Sequence, residues 1–119
     1  MPISHAKSGE VVQVRLGAAL RGTKTRTLVK TNDLKVIRLF IPAGEESSTH
    51  TSPGELTVQC LEGRVLFIAH GKSRELGAGQ FVYLAPDEPH SLKAIEDSSL
   101  LVTIHLALKK PVQKCDIVE

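Results

Sequence analysis

From Leu34 onward the chain alternates short apolar runs with Gly, Pro, Asp and Ser, and the runs repeat with a period of about two rather than about 3.6. That pattern predicts strands at Thr25–Lys30, Leu34–Ile41, Leu56–Leu61, Arg64–Ala69, Gln80–Leu84, His90–Ile95 and Leu100–Leu108, all rich in Val, Ile, Leu and Thr. The turn chemistry agrees. Glu62-Gly63 is short enough for a hairpin, His70-Gly71-Lys72 supplies a Gly where positive φ is wanted, and Glu96-Asp97-Ser98 is a polar reversal. Short strands at regular spacing predict an all-β sandwich or small barrel. The one helical stretch is Arg15–Arg21 near the N-terminus, held to a short helical turn by Gly17 and Gly22.

Alternation also assigns faces. Leu56, Val58 and Cys60 are expected inside and Glu55, Thr57 and Gln59 outside, unless a bulge at Pro53-Gly54 rotates Glu55 inward. In the last strand Leu100, Val102, Ile104, Leu106 and Leu108 make the more apolar face. His105 is then expected outside or at a subunit interface, with the cavity as the alternative.

Length changes the picture only by limiting it. A chain of 119 residues suits one domain and buries roughly two-thirds of its unfolded surface, enough for a core without a structural metal or disulfide. Residues 1–24 read as an arm with the helical turn, 25–108 as the barrel, and 109–119 as a tail beginning at Lys109-Lys110-Pro111. Fifteen basic and thirteen acidic residues give a net charge of +2 with no basic stripe, and the aromatics are Phe40, Phe67, Phe81 and Tyr83. No nucleic-acid partner and no membrane are expected from that balance. The start, MPISHAKSGE, has no apolar run behind it, so a cytoplasmic location is expected. Cys60 reads as a small buried hydrophobe, and Cys115 lies in the tail.

Around Gly44 the sequence resembles the cupins. Their first motif is Gly, five residues, His-x-His, three or four residues, Glu, six residues, Gly; here Gly44, His50 and Gly63 fall in register. Their second motif is Gly, five residues, Pro-x-Gly, two residues, His; Gly79, Pro89 and His90 follow it, with Ala85 at the usual Pro and Asp87 at the usual Gly. The resemblance spans about residues 34–108 and implies a single double-stranded β-helix, a jelly-roll barrel of the RmlC-like type.

The resemblance also implies a metal site of three imidazoles and a carboxylate converging inside the barrel, suited to Mn, Fe, Ni, Zn or Cu. Carried over residue by residue, His50 and His90 match, Ser52 stands at the second His and Leu56 at the carboxylate. Half the ligand set is replaced, so the expectation is a degenerate metal site in a pocket lined by His50, Ser52, Leu56 and His90, binding a small molecule in a binding or regulatory role. The alternative is a metal-dependent oxygenase or isomerase using His50 and His90, with Glu55 or His105 as further ligands. Some sugar-nucleotide epimerases of the wider superfamily pair a His base with a Tyr acid, which makes Tyr83 a catalytic candidate, with Asp87 and Glu88 as nearby acids. Ser47-Ser48-Thr49 before His50 reads as turn chemistry. Small cupins commonly pair their barrels, so a homodimer is expected.

Overall fold

The computed structural model describes residues 5–17 and 24–106. Among the described residues there are nine strands: β1 (Arg26–Lys30), β2 (Leu34–Ile41), β3 (Glu46–His50), β4 (Leu56–Glu62), β5 (Arg64–Ala69), β6 (Lys72–Gly77), β7 (Phe81–Leu84), β8 (His90–Ala94) and β9 (Ser98–His105). None of the described residues is helical; Arg15–Gly17 is irregular, and the rest of the expected helical turn lies outside the described residues. So do Ala107 and Leu108 of the expected last strand, the tail from Lys109, and Cys115.

The strands form two antiparallel sheets, ordered β1-β2-β9-β4-β7 and β3-β8-β5-β6. Each inner face follows from alternation. On β4, Leu56, Val58 and Cys60 are buried while Thr57 and Gln59 are half-buried, as the sequence predicts. On β9, Leu100 is fully buried and Val102 and Ile104 pack on the core, leaving His105 exposed at the strand end. The core between the sheets is Ile41, Leu56, Val58, Cys60, Val65, Phe67, Leu76, Leu84, Leu92, Ala94 and Leu100. Burial of such side chains, each contributing about 1.5–3 kcal/mol, is the main term opposing chain entropy.

Two strands escape the hydrophobic pattern, β3 (ESSTH) and β6 (KSRELG). They are the two edges of the four-stranded sheet. Charged and hydroxyl side chains on edge strands discourage pairing with other chains, so polarity there marks position rather than absence of structure.

Glu62-Gly63 is not a hairpin turn. It joins β4 of one sheet to β5 of the other and so forms a corner of the sandwich. A second crossover, β8 to β9, packs against it: Ser98 Oγ accepts the Arg64 N–H at 3.0 Å. His70-Gly71 does close a hairpin, between β5 and β6, with φ of 54° and 71°. Positive φ at both central residues is the geometry that matches the twist of the flanking strands.

Candidate functional site

The register of the four-stranded sheet determines what its inner face presents. Directly opposed residues on neighbouring strands share a face, and three rows result. Leu76, Val65 and Ala94 make the first, all buried and apolar. Arg74, Phe67, Leu92 and Ser47 hold the positions of the second. Lys72, Ala69, His90 and His50 hold those of the third. The sheet therefore runs from a dry end to a polar end within three rows. The facing sheet does not: its corresponding positions are Ile104, Leu56 and Leu84 at the polar end and Val102, Val58 and Val82 behind them.

His50 reaches its place through a bulge. Ser47 pairs with Leu92 and His50 with His90, so β3 spends one residue more than β8 between the two pairs. Bulges of this kind re-aim strand residues and are frequent beside functional sites. Ser47, expected as turn chemistry, is instead a strand residue opposite the core residue Leu92, and its Oγ is buried without a hydrogen-bond partner.

His90 is 5% exposed and faces the interior with Leu92 and Ala94. Its Nδ1 lies 3.0 Å from the Glu88 carbonyl oxygen, which can only accept, so Nδ1 carries the proton. Its ring stacks on Phe67, with centroids 5.8 Å apart and planes 14° from parallel. The loop before His90 is tied to the first-motif loop, where the Asp87 N–H donates to the Ser52 carbonyl at 2.7 Å. Asp87 has a φ of 61°, in the left-handed region that Gly fills without cost and Asp tolerates better than most side chains.

The other sequence candidates fall as follows. Leu56 is 5% exposed and belongs to the core, and Ser52 is half-buried. No bulge at Pro53-Gly54 turns Glu55 inward. Gly54 sits so close to the His105 main chain that a Cβ would collide with its carbonyl, and the His105 N–H donates to the Glu55 carbonyl at 2.9 Å. That contact holds the segment in register and leaves Glu55 exposed, accepting the Tyr83 hydroxyl at 2.7 Å. By accepting that hydrogen bond, Glu55 raises the Tyr83 pKa above its ordinary range. His105 is exposed and lies off the inward row. Glu88 reaches the ring of His70, Oε2 to Nδ1 at 3.3 Å. Among the described residues no three His, Cys, Asp or Glu side chains gather in a metal-binding group.

A cleft of about 600 Å³ opens between the edge strands β6 and β7, lined by residues 67, 69, 70, 72, 74–76 and 80–84; it takes Ala69 and Lys72 from the row of His90, while His90, Ser52 and Leu56 lie outside its lining. Phe67, Leu76 and Leu84 are its buried floor, and Phe67 is the residue on which His90 stacks. Phe67, Lys72 and Arg74 are the residues that sequence reasoning missed. Their signal was the alternation Lys72-x-Arg74-x-Leu76, hidden because β6 reads as polar.

Two sheets of this order, a corner at Gly63 and a buried His90 after a tight loop coincide with a sequence match over residues 38–106 to the cupin domain. The chain is a cupin. Solved structures agree on the fold. A conserved protein of unknown function from Streptococcus pyogenes aligns at TM-score 0.72 and 23% identity, covering 90% of this chain and 98% of its own. An RmlC-like cupin from Desulfovibrio desulfuricans aligns at 0.65 and 25% identity over 86% and 98%. A point mutant of the salicylate 1,2-dioxygenase from Pseudoaminobacter salicylatoxidans aligns at 0.63 and 21% identity over 67% of this cupin and 25% of the dioxygenase. No curated protein matches the chain in sequence. Among the described residues no helix is long and apolar enough to cross a membrane.

Proposed function

We propose that this cupin binds a small molecule at the polar end of its barrel, with His50 and His90 on one wall and Leu56 and Leu84 on the other. The observation that carries the reading is His90 itself. It is a buried imidazole whose Nδ1–H is held by a backbone carbonyl and whose ring stacks on Phe67, the floor of a cleft of ligand size. The unpartnered Ser47 hydroxyl one row away supports it, because buried polar atoms are rarely left unsatisfied in a finished assembly.

The donor set does not fit the family's metal centre. Leu56 has no lone pair and is packed in the core, Glu55 is engaged outside with Tyr83, and His105 is exposed. Two imidazoles and the hydroxyl of Ser52 fall short of the four strong donors that the family's site assembles. That donor set suits a binding or regulatory role better than metal chemistry.

A metabolite panel screened by thermal shift tests this, alongside Mn, Fe, Ni, Zn and Cu salts. At least one organic compound should raise the melting temperature of the wild type and not that of His90→Gln or His50→Gln, both still folded by circular dichroism. Shifts produced only by metal ions and lost in both variants would overturn the metal-free reading. Organic hits that act equally on all three proteins would move the site out of the barrel.

A further inference from the structure

On β6, residues two apart share a face, and the face that carries Leu76 into the core also carries Arg74 and Lys72. Arg74 is the cross-strand partner of Phe67, the floor of the cleft, and Lys72 is the partner of Ala69, which stands two residues further along that wall. Two long cations therefore stand over an apolar floor made by Phe67, Leu76 and Leu84. Neither has a carboxylate partner among the described residues. The acids nearby are turned to other groups: Glu75, also on the cleft lining, faces Arg64 at 3.8 Å, Glu55 accepts the Tyr83 hydroxyl, and Glu88 reaches His70. Across the cleft, Phe81 and Tyr83 on β7 are 63% and 52% exposed, two aromatic rings on its rim.

This arrangement has a direction. Its floor is apolar, one rim carries two aromatic rings, and its other rim carries two cations that no carboxylate among the described residues pairs directly. A ligand matched to it has an apolar body of modest size and a single anionic group. The planar guanidinium of Arg74 suits a planar carboxylate, which it can hold by two parallel hydrogen bonds. We infer that the ligand is a small organic carboxylate, its apolar body against Phe67 and Leu84 and its carboxylate between Lys72 and Arg74. The inference rests on the proposed binding role of the barrel and adds the chemical class.

Isothermal titration calorimetry at low ionic strength tests it, with benzoate, cyclohexanecarboxylate, benzamide and inorganic phosphate as probes. The proteins are the wild type, Lys72→Gln, Arg74→Gln, the double variant and His90→Gln. Both carboxylates should bind the wild type at least tenfold more tightly than benzamide or phosphate. The double variant should lose at least tenfold in carboxylate affinity while binding benzamide unchanged. Equal binding of benzoate and benzamide, with no effect of the Lys72 and Arg74 changes, would overturn the carboxylate class while leaving a barrel site that still responds to His90→Gln. Phosphate binding as tightly as benzoate would reduce the site to a bare anion cradle and overturn the role of the apolar floor. Failure of both carboxylates to bind at millimolar concentration would overturn the class, and the binding role would fall with it only if no compound of the metabolite panel gave a shift that His90→Gln abolishes.

Discussion

Phe67 and His90 stack at 5.8 Å between ring centroids, joining the floor of the cleft to the buried end of the motif histidine. Such a pair contributes about 0.5–1.5 kcal/mol beyond area burial. Phe67→Leu keeps an apolar floor and removes the stack, so urea unfolding should show a loss of about 1–2 kcal/mol. A change of less than about 0.3 kcal/mol would show that the stack holds nothing in place.

Gly63 and Gly44 separate two costs that usually travel together. Their φ values are 91° and 88°, but a Cβ at Gly63 would collide with the Asp97 carbonyl and Ser98, whereas one at Gly44 meets open space. Gly44→Ala should cost about 1 kcal/mol, from the backbone alone, and Gly63→Ala about 2–3 kcal/mol. Equal losses in denaturant titrations would mean that the two crossovers do not press on each other at that corner.

The interior strands were legible because burial on one face imposes strict alternation, as Leu56, Val58 and Cys60 show. Leu34–Ile41 and Arg64–Ala69 form at the bounds the pattern predicts. What escaped was the edge. β3 and β6 have a polar sequence because one side of each has no strand neighbour, and the same polarity supplies the polar end of the barrel. Sheet membership was equally hidden, since a short loop such as Glu62-Gly63 looks alike whether it turns a hairpin or crosses between sheets. His90 was visible from its motif, but the cleft beside it required knowing that Lys72 and Arg74 share a strand face with Leu76.

Cys60 is wholly buried, and burial, aided by the nearby charges of Glu96 and Glu62, pushes its thiol above the ordinary value of 9.0. In a Cys115→Ser background it should resist a thiol reagent such as DTNB at about pH 8 until urea unfolds the chain. The linkage has a sign. Above about pH 9 the unfolded chain loses a proton that the folded chain keeps, so stability falls as pH rises through that range. Cys60→Ala should be less stable at about pH 8 yet show a shallower decline between about pH 9 and 10. Fast labelling of the native protein would contradict the burial.

Arg38, 7% exposed, donates to Glu62 at 3.1 Å and to Ser99 Oγ at 3.2 Å, and Glu62 also accepts the Gly17 N–H at 2.6 Å. Removing one charge leaves the other poorly solvated. Glu62→Gln should therefore cost about 2–3 kcal/mol, and the pair Arg38→Met and Glu62→Gln less than the sum of the single losses. A coupling below about 0.5 kcal/mol in the double-mutant cycle would show that the two residues act separately.

Binding beside His90 is tested most directly by nuclear magnetic resonance of selectively labelled His and Phe side chains during titration with benzoate. The signals of Phe67 and His70, on the cleft lining, and of His90, stacked on Phe67, should shift together along one saturable curve, and those of His5 and His105, both exposed and outside the cleft lining, should stay put. Unmoved Phe67 and His90 signals at millimolar benzoate, or drift of His5 and His105 equal to theirs, would contradict a carboxylate site at the polar end of this barrel.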